Sequence, residues 1–347
     1  MGPMGYNRPQ LQMKKTLLLA LAMFFATVSF AQQQLATLNH NDSVSVFYGA
    51  DALQLALDSA DHGDIIMLSS GGFNSVEITK AVTIRGNGMV RDVLAGTEPT
   101  IINGCILHIP DSIATNFEME GVRLSELRNW SAINPVFTKC MFDNMNTYSY
   151  NENCHMDNPM FVNCIIRKSF AYYIFNSQCI NSIIVFNGWH PKSLINCIAF
   201  LPPFELTNTE QNLPSVTCSN SILIHSDIGQ SVTPLACYNS IGICDNCTTG
   251  YFNDSINGNL NFTGLNSVFK VFDGLEVGGS IPVETNFELQ DSIAANILGS
   301  DGTQIGVYGG MVPFDPRVNT MRYVKCNVAP HTTQDGKLSV DIEVVSE

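Results

Sequence analysis

The sequence predicts an all-β fold, a solenoid in which short parallel strands coil around one core. Between Pro135 and Asp245 a phrase recurs six times: a bulky or Cys residue, Asn two positions later (Lys in the first copy), a small Cys or Ser, then an apolar run. Self-similarity at such a period is typical of solenoids. The small residues lie 15 to 24 residues apart, at Cys140, Cys164, Ser182, Cys197, Ser221 and Ser240. The same repeat extends upstream through Gly86, Gly104 and Gly121.

The Asn of each copy predicts a corner, because Asn is among the few non-glycine residues that tolerate the left-handed backbone region. A change of direction there lets the residue three before the small residue and the residue two after it both point inward. The predicted inward columns are Phe137, Phe161, Cys179, Leu194, Cys218 and Cys237 before the corner, and Phe142, Ile166, Ile184, Ala199 and Leu223 after it.

The apolar runs favour buried parallel strands over helices. They are short and rich in Ile, Val and Phe, and none reaches ten residues with a helical period. The composition, with 45% hydrophobic and 14% charged residues, is that of one large globular domain. The net charge of -14 argues against nucleic acid and anionic membrane surfaces as partners.

Residues 1–31 predict an N-terminal extension followed by a signal peptide. Lys14 and Lys15 form a basic start, an apolar run follows, and Ser29-Phe30-Ala31 provides a small-residue end, with cleavage expected before Gln32. Translation from Met13 fits this pattern best. A lone transmembrane helix is the alternative, but the run is short. We therefore expect a protein of the periplasm, outer surface or medium, with no membrane span after signal removal.

The mature chain divides into residues 32–310, the solenoid, and residues 311–347, a linker with a β-hairpin. Leu53, Ala56, Leu57 and Ala60 share one helical face, which predicts an N-terminal capping helix over the first coil. A cap is required because a solenoid end exposes apolar interior and unpaired strands.

The C-terminal segments at residues 322–328 and 338–345 alternate apolar and polar residues around Asp335-Gly336, a strong hairpin signal. An isolated hairpin is marginal in water, so we expect it to pack on the solenoid wall or on a partner chain.

The run from Asp51 through Gly88 contains the amphipathic helix, GDIIML, a Gly-rich turn and VTIRGNG. It resembles the N-terminal start of right-handed parallel β-helix proteins of the pectin-lyase-like superfamily. Residues 287–310 are similar to the closing segment of many secreted bacterial β-helix proteins, which ends Asp-Gly…Ile-Gly…Tyr-Gly-Gly; here Ser292-Ile293-Ala294 lacks the usual proline. The resemblance implies a right-handed parallel β-helix, but it implies no activity, since one fold hosts many functions.

The chain has eleven cysteines. Those at the corner and in the inward column before it recur as small buried hydrophobes do, so we expect most to be free and inert. Cys244 and Cys247 form a CxxC beyond the last clear coil, which fits a local disulfide or half of a zinc site. No second CxxC or His pair accompanies it, so neither a metal nor another cofactor is expected.

The candidate catalytic residues are His225, Asp227 and Asp245. They follow neighbouring coils at nearly the same position of the repeat, so their side chains could lie close together. Paired carboxylates would suit hydrolysis, and a base with bound calcium would suit elimination. Solvated turn residues are the alternative interpretation. The Asn-Thr-Asp, Asp-Asp and Gly-His-Gly set of polygalacturonases and the Arg-x-Pro-x-x-Arg of pectate lyases are absent from the sequence.

The candidate ligand-binding residues are aromatics in the longer turns, where flat rings could stack on sugars or pack against the coil flank. They are Tyr148, Tyr150, Tyr172, Tyr173 and Trp189. The sequence favours a non-catalytic secreted or cell-surface protein that binds carbohydrate or another surface component. The alternatives are a divergent polysaccharide lyase or glycoside hydrolase, and a structural subunit that docks through its hairpin.

Overall fold

The computed structural model describes most of the chain after residue 33. The described residues are 34–93, 96–111, 113, 116–146, 155–170, 174–186, 191–201, 216–225, 236–244, 257–272, 281, 286–318, 321–328 and 340–346. The predicted signal peptide lies outside this part of the chain. None of the helices within it is both long and apolar enough to cross a membrane.

Short strands dominate the structure. In the first half they are β1 (Leu35–His40), β2 (Ser43–Tyr48), β3 (Ile65–Leu68), β4 (Gly71–Phe73), β5 (Val76–Ile78), β6 (Thr83–Arg85), β7 (Thr100–Ile102), β8 (Cys105–His108), β9 (Glu118–Glu120), β10 (Arg123–Leu124), β11 (Leu127–Ile133), β12 (Val136–Thr138), β13 (Met141–Phe142), β14 (Met145–Asn146) and β15 (Met156–Asp157). In the second half they are β16 (Met160–Val162), β17 (Ile165–Ile166), β18 (Ser169–Phe170), β19 (Ile174–Phe175), β20 (Gln178–Ile180), β21 (Ile183–Val185), β22 (Ser193–Ile195), β23 (Ile198–Leu201), β24 (Thr217–Ser219), β25 (Ile222–His225), β26 (Ala236–Tyr238), β27 (Ile241–Cys244), β28 (Leu260–Phe262), β29 (Met321–Val328) and β30 (Val340–Ser346). The described helices are α1 (Ala52–Ser59), α2 (Asp291–Asn296) and a 3-10 turn, Leu265–Ser267.

Most of these strands form three large sheets. Sheet A has the order β2-β1-β3-β6-β9-β12-β16-β20-β22-β24-β26, and sheet B has the order β28-β27-β25-β23-β21-β17-β13-β10-β7-β4. Sheet C has seven strands: β18-β14-β11-β15-β19, with β8 on β11 and β5 on β8. Apart from the pairs that β1 makes with β2 and β3, the pairings within these sheets are parallel. Long parallel sheets that take one strand from each successive repeat are consistent with a parallel β-helix-like solenoid.

Both predicted inward columns are confirmed. In sheet A the Cα partners run through Phe137, Phe161, Cys179, Leu194, Cys218 and Cys237. In sheet B they run through Phe142, Ile166, Ile184, Ala199 and Leu223. All these side chains belong to one buried core. Like residues stack because each strand repeats the alternation of the strand beneath it.

The predicted corner is also confirmed by the backbone angles. The residue after each of these sheet A strands has a φ near +50°, at Lys139, Asn163, Asn181, Asn196, Asn220 and Asn239. The upstream positions predicted for the small residue, Gly86 and Gly121, were wrong by one residue, because Glu120 pairs with Thr138 and Arg123 pairs with Met141. Gly121 therefore occupies the corner (φ +67°), and Gly86, one strand earlier, aligns with it. Gly104 lies at a different place, between β7 and β8.

The small residue after the corner has a hydrogen-bonding role that the sequence did not suggest. Its hydroxyl accepts the backbone N–H at the same position of the preceding coil: Ser182 from Cys164 (3.0 Å) and Ser221 from Cys197 (2.9 Å). The ladder continues through Ser240 and ends on Asn259, whose Oδ1 accepts from Ser240 N–H at 3.0 Å. A buried N–H without a partner would be costly, so these side chains make the turn between sheets A and B possible.

A second hydrophobic cluster covers the outward face of sheet B. Outward residues of that sheet, such as Ile183, Ile198 and Ile222, pack against the segment that follows β28. The covering residues are Val268, Phe269, Phe272, Ile281, Phe287, Leu289, Ile293, Ile305 and Val307. Sheet B is therefore buried on both faces, as parallel sheets usually are.

The closing segment returns along the corner asparagines. Asn220 Oδ1 accepts from Ser300 N–H at 2.9 Å, and Asn181 Nδ2 donates to the carbonyls of Val307 (2.8 Å) and Gly309 (2.7 Å). Further along, Lys139 Nζ donates to Arg317 O at 2.7 Å. The corner side chains thus set the backbone turn and also bind the segment that covers sheet B.

The N-terminal end contains a hairpin. β1 pairs with β2 across a two-residue turn in which Asn41 and Asp42 both have positive φ. The buried face of α1, Ala52, Leu53, Ala56 and Leu57, packs into the main core. At the other end of the chain, β29 and β30 pair antiparallel as a separate two-stranded sheet.

Replacing Asn181 by glycine should lower the free energy of unfolding by about 1–3 kcal/mol, because two buried carbonyls lose their donors. Glycine tolerates the positive φ, so the change isolates the side-chain hydrogen bonds. Urea unfolding measures the effect.

The matched control is Asn158→Gly, since Asn158 also has a positive φ (51°) but is exposed. It should change the stability by less than about 0.5 kcal/mol. Equal losses in both variants would contradict the role assigned to Asn181.

Candidate functional site

Of the three predicted catalytic residues, the structure describes only the backbone of His225. His225 is the last residue of β25, and its Cα partners are Leu201 on β23 and Cys244 on β27. Asp245 directly follows Cys244 in the chain. The expected proximity of His225, Asp227 and Asp245 stays a prediction. The side chain of His225, and Asp227 and Asp245 as a whole, lie outside the described residues.

The five candidate aromatic residues also lie outside the described residues, but the strands that flank them are described. Tyr148 and Tyr150 fall between β14 and β15, and Tyr172 and Tyr173 fall between β18 and β19. Because β14 pairs with β18 and β15 with β19, these two connections leave and rejoin the sheets at neighbouring strands. Trp189 falls in the connection between β21 and β22.

The outward face of sheet A from β12 to β26 has no charged residue. Each of these strands has three residues, of which the middle one points inward, so the first and third form two outward ladders. The outward residues are Val136, Thr138, Met160, Val162, Gln178, Ile180, Ser193, Ile195, Thr217, Ser219, Ala236 and Tyr238. All are half-buried or exposed, with Ile195 at 37% and Tyr238 at 49%. This surface, called the neutral face below, mixes hydroxyl, amide and aliphatic groups in a protein of net charge -14.

Three charged side chains in or beside sheet B are paired with one another. Asp143 accepts from Arg123 Nε at 2.8 Å and from Arg167 Nη1 at 2.8 Å. Arg167 Nε also donates to Ile281 O at 2.5 Å, in the segment that covers sheet B. These contacts connect the three side chains to one another and to the covering segment.

A surface cavity of ≈ 270 Å³ lies beside α1, lined by Gln54, Leu57, Asp58, Glu77, Thr79 and Lys80. Lys80 Nζ donates to the carbonyls of Leu57 (2.9 Å), Asp58 (2.9 Å) and Ala60 (2.6 Å). These are orphan carbonyls at the C-terminal end of the helix, where a cation is favourable. The lysine therefore caps the helix and is not free to act as a base.

The described free thiols form a buried set. Cys105, Cys140, Cys164, Cys179, Cys197, Cys218 and Cys237 are free and buried. Burial raises the pKa of the Cys105, Cys140 and Cys197 thiols to about 12, and the pKa of Cys164 and Cys179 well above the usual value. The neighbouring Cys218 thiol, together with burial, raises the pKa of Cys237. The expectation that the corner and inward-column cysteines are free and buried is confirmed for Cys140, Cys164, Cys179, Cys197, Cys218 and Cys237, and Cys105 is a further free, buried thiol.

Cys244 differs from this set because it is disulfide-bonded. This favours the disulfide interpretation of the CxxC over a zinc site, although Cys247 lies outside the described residues. Within the described part of the chain, no group of three or more His, Cys, Asp or Glu side chains is placed to hold a metal ion.

Comparison of the chain with family models, with curated proteins and with solved structures found no match.

In the native protein almost no cysteine should react with a thiol reagent at neutral pH, because the coil cysteines are buried and protonated. After denaturation without reductant, at least the seven cysteines named above should react. Thiol titration with Ellman's reagent measures both values, and reduction before denaturation gives the total. Disulfides among the coil cysteines, found by peptide mass spectrometry, would contradict the stacked arrangement.

Proposed function

We propose that the chain is a right-handed parallel β-helix of the pectin-lyase-like kind, exported by its signal peptide and capped by α1. The register of the inward columns and the left-handed corners supports the coil. The disulfide of Cys244 supports export, since disulfides persist in oxidising compartments. The coil cysteines remain compatible with such a compartment because they are buried.

The function that the geometry supports best is non-catalytic binding of a neutral carbohydrate, or of another uncharged surface component, along the neutral face. Parallel sheets usually have both faces covered, as sheet B does, whereas the outward residues of sheet A between β12 and β26 remain partly open. This contrast is the observation that carries the proposal.

Carbohydrate suits such a surface for chemical reasons. Sugar rings present apolar C–H faces and hydroxyl groups, which match the aliphatic ladder of Val162, Ile180 and Ile195 and the polar groups of Gln178 and Thr217. Binding sites in general combine an apolar lining with a few polar groups that fix orientation. The aromatic residues predicted in the longer connections would add stacking platforms if the ligand reaches them.

An enzyme remains the second candidate, as a divergent polysaccharide lyase or glycoside hydrolase. The observation in its favour is the pairing of His225 with Cys244, the residue that precedes Asp245 in the chain. Against it, Arg167 is engaged by Asp143 and Ile281 and is not available to neutralise a substrate carboxylate. A structural subunit that docks through β29 and β30 is a third possibility, because those strands form a sheet of their own.

A chain starting at Gln32 should bind neutral oligosaccharides on a glycan array, and Ile195→Asp should weaken that binding at least about tenfold by placing a charge on an apolar contact surface. Val271→Asp is the matched control, because Val271 is 67% exposed and lies outside sheet A. Binding unaffected by Ile195→Asp would show that the ligand uses a different surface.

The protein should not cleave polygalacturonate, even with calcium. Elimination needs a neutralised uronate and a base, and the acidic surface repels the substrate. Release of unsaturated uronate, followed by its ultraviolet absorbance, tests this. Product formation that Arg167→Ala with Lys168→Ala abolished would replace the binding proposal by the lyase alternative.

A further inference from the structure

Strand β2 is an open edge. It is the outermost strand of sheet A, and among the described residues it pairs only with β1. Its sequence, SVSVFY, contains no charge and no proline, and its register with β1 has no bulge. Natural proteins usually protect a sheet edge with a charged side chain, a proline or a β-bulge. An uncharged six-residue strand of high β-propensity is therefore an edge suited to pairing.

The backbone groups that face outward can be identified. Gly49 N–H donates to Gln34 O, so residues 34 and 49 form a hydrogen-bonded pair, and bonded pairs alternate along an antiparallel ladder. Residues 43, 45 and 47 therefore bond to β1. The N–H and C=O groups of Val44, Val46 and Tyr48 point away from the sheet and have no partner in the described chain.

The side chains of the same three residues are exposed: Val44 at 67%, Val46 at 42% and Tyr48 at 59%. Val46 is opposite Thr37, which is opposite Met67, another exposed apolar residue (56%). Cross-strand partners project to the same side of a sheet. The edge thus continues into a partly apolar surface that extends over three strands.

We propose that β2 pairs antiparallel with β2 of a second copy of this chain, about a two-fold axis at Val46. In this register Val46 is opposite Val46 of the second copy, and Val44 is opposite Tyr48. The outward-facing residues of one strand then meet only the outward-facing residues of the other, so their N–H and C=O groups satisfy one another. The two copies of sheet A become one continuous sheet.

A second copy fits this edge better than another occupant. A two-fold axis makes the surface self-complementary, which this uncharged strand allows. Ser43–Tyr48 contains no carboxylate, so no carboxylates are directly opposed in the paired strands in spite of the acidic charge of the chain. In a mature chain starting at Gln32, two residues precede Gln34, and about 7 Å of chain cannot turn back to cover β2.

Single cysteine variants test the register directly. Residues in a hydrogen-bonded antiparallel pair have Cα atoms about 5.5 Å apart, within disulfide range. With oxidised glutathione as the oxidant, two Val46→Cys thiols should form one intermolecular disulfide and release two molecules of reduced glutathione. Val44→Cys is the matched control: its two copies would lie about 14 Å apart, too far to cross-link.

A charge-swap experiment does not depend on disulfide chemistry. Val46→Lys alone and Val46→Glu alone should each weaken dimerisation at least about tenfold, because like charges face each other. Their mixture should form the heterodimer, detected by native mass spectrometry. Sedimentation of the unsubstituted chain from Gln32 should show a dimer at micromolar concentrations, as expected of a small interface.

A chain that stays monomeric in sedimentation would overturn the proposal. It would also be overturned if Val44→Cys and Val46→Cys cross-linked equally well, or if the lysine and glutamate variants failed to associate when mixed.

Discussion

The corner after each sheet A strand from β12 to β26 is the constraint on which the rest of the structure depends. The backbone there takes a positive φ near 50°, and the buried N–H that follows needs an acceptor. Asparagine satisfies the first requirement at five of these six corners, and the hydroxyl of a serine in the next repeat satisfies the second for Cys164, Cys197 and Ser221. Where neighbouring residues crowd the corner, glycine replaces asparagine: a Cβ on Gly121 would clash with Val318 Cγ2.

The same corners decide which surfaces remain open. Their side chains hold the carbonyls and N–H groups of the closing segment, and that segment brings an apolar layer onto sheet B. Sheet A has no such layer among the described residues, and its outward residues from β12 to β26 stay uncharged and partly exposed. Binding is therefore proposed on this face of sheet A, while Arg167, beside sheet B, donates to Ile281 O in the covering segment.

Much of the repeat could be predicted from local sequence, because one asparagine fixes both a backbone angle and which of the residues around it point inward. Phe137 and Phe142 could be assigned inward from that pattern alone. Other features depend on long-range register. The alignment of Gly121 with Lys139 was missed by one position, and the pairing of β1 with β2 leaves little signal beyond alternation. The neutral face was not recognised, because its members become neighbours only when coils stack. The candidate residues chosen for chemical type, such as His225 and Trp189, fall in or beside connections outside the described chain.

Electron paramagnetic resonance distances between spin labels on the outward face of sheet A test the coil most directly. Arg85, Glu120, Thr138, Val162, Ile180, Ile195 and Ser219 follow one another by one strand at each step of the ladder. Parallel strands lie about 4.8 Å apart, so a label pair at 85 and 180 should be separated by about 19 Å and a pair at 85 and 219 by about 29 Å. Steps of this size would support the stacked coil. Distances that did not increase with the number of intervening strands would contradict it.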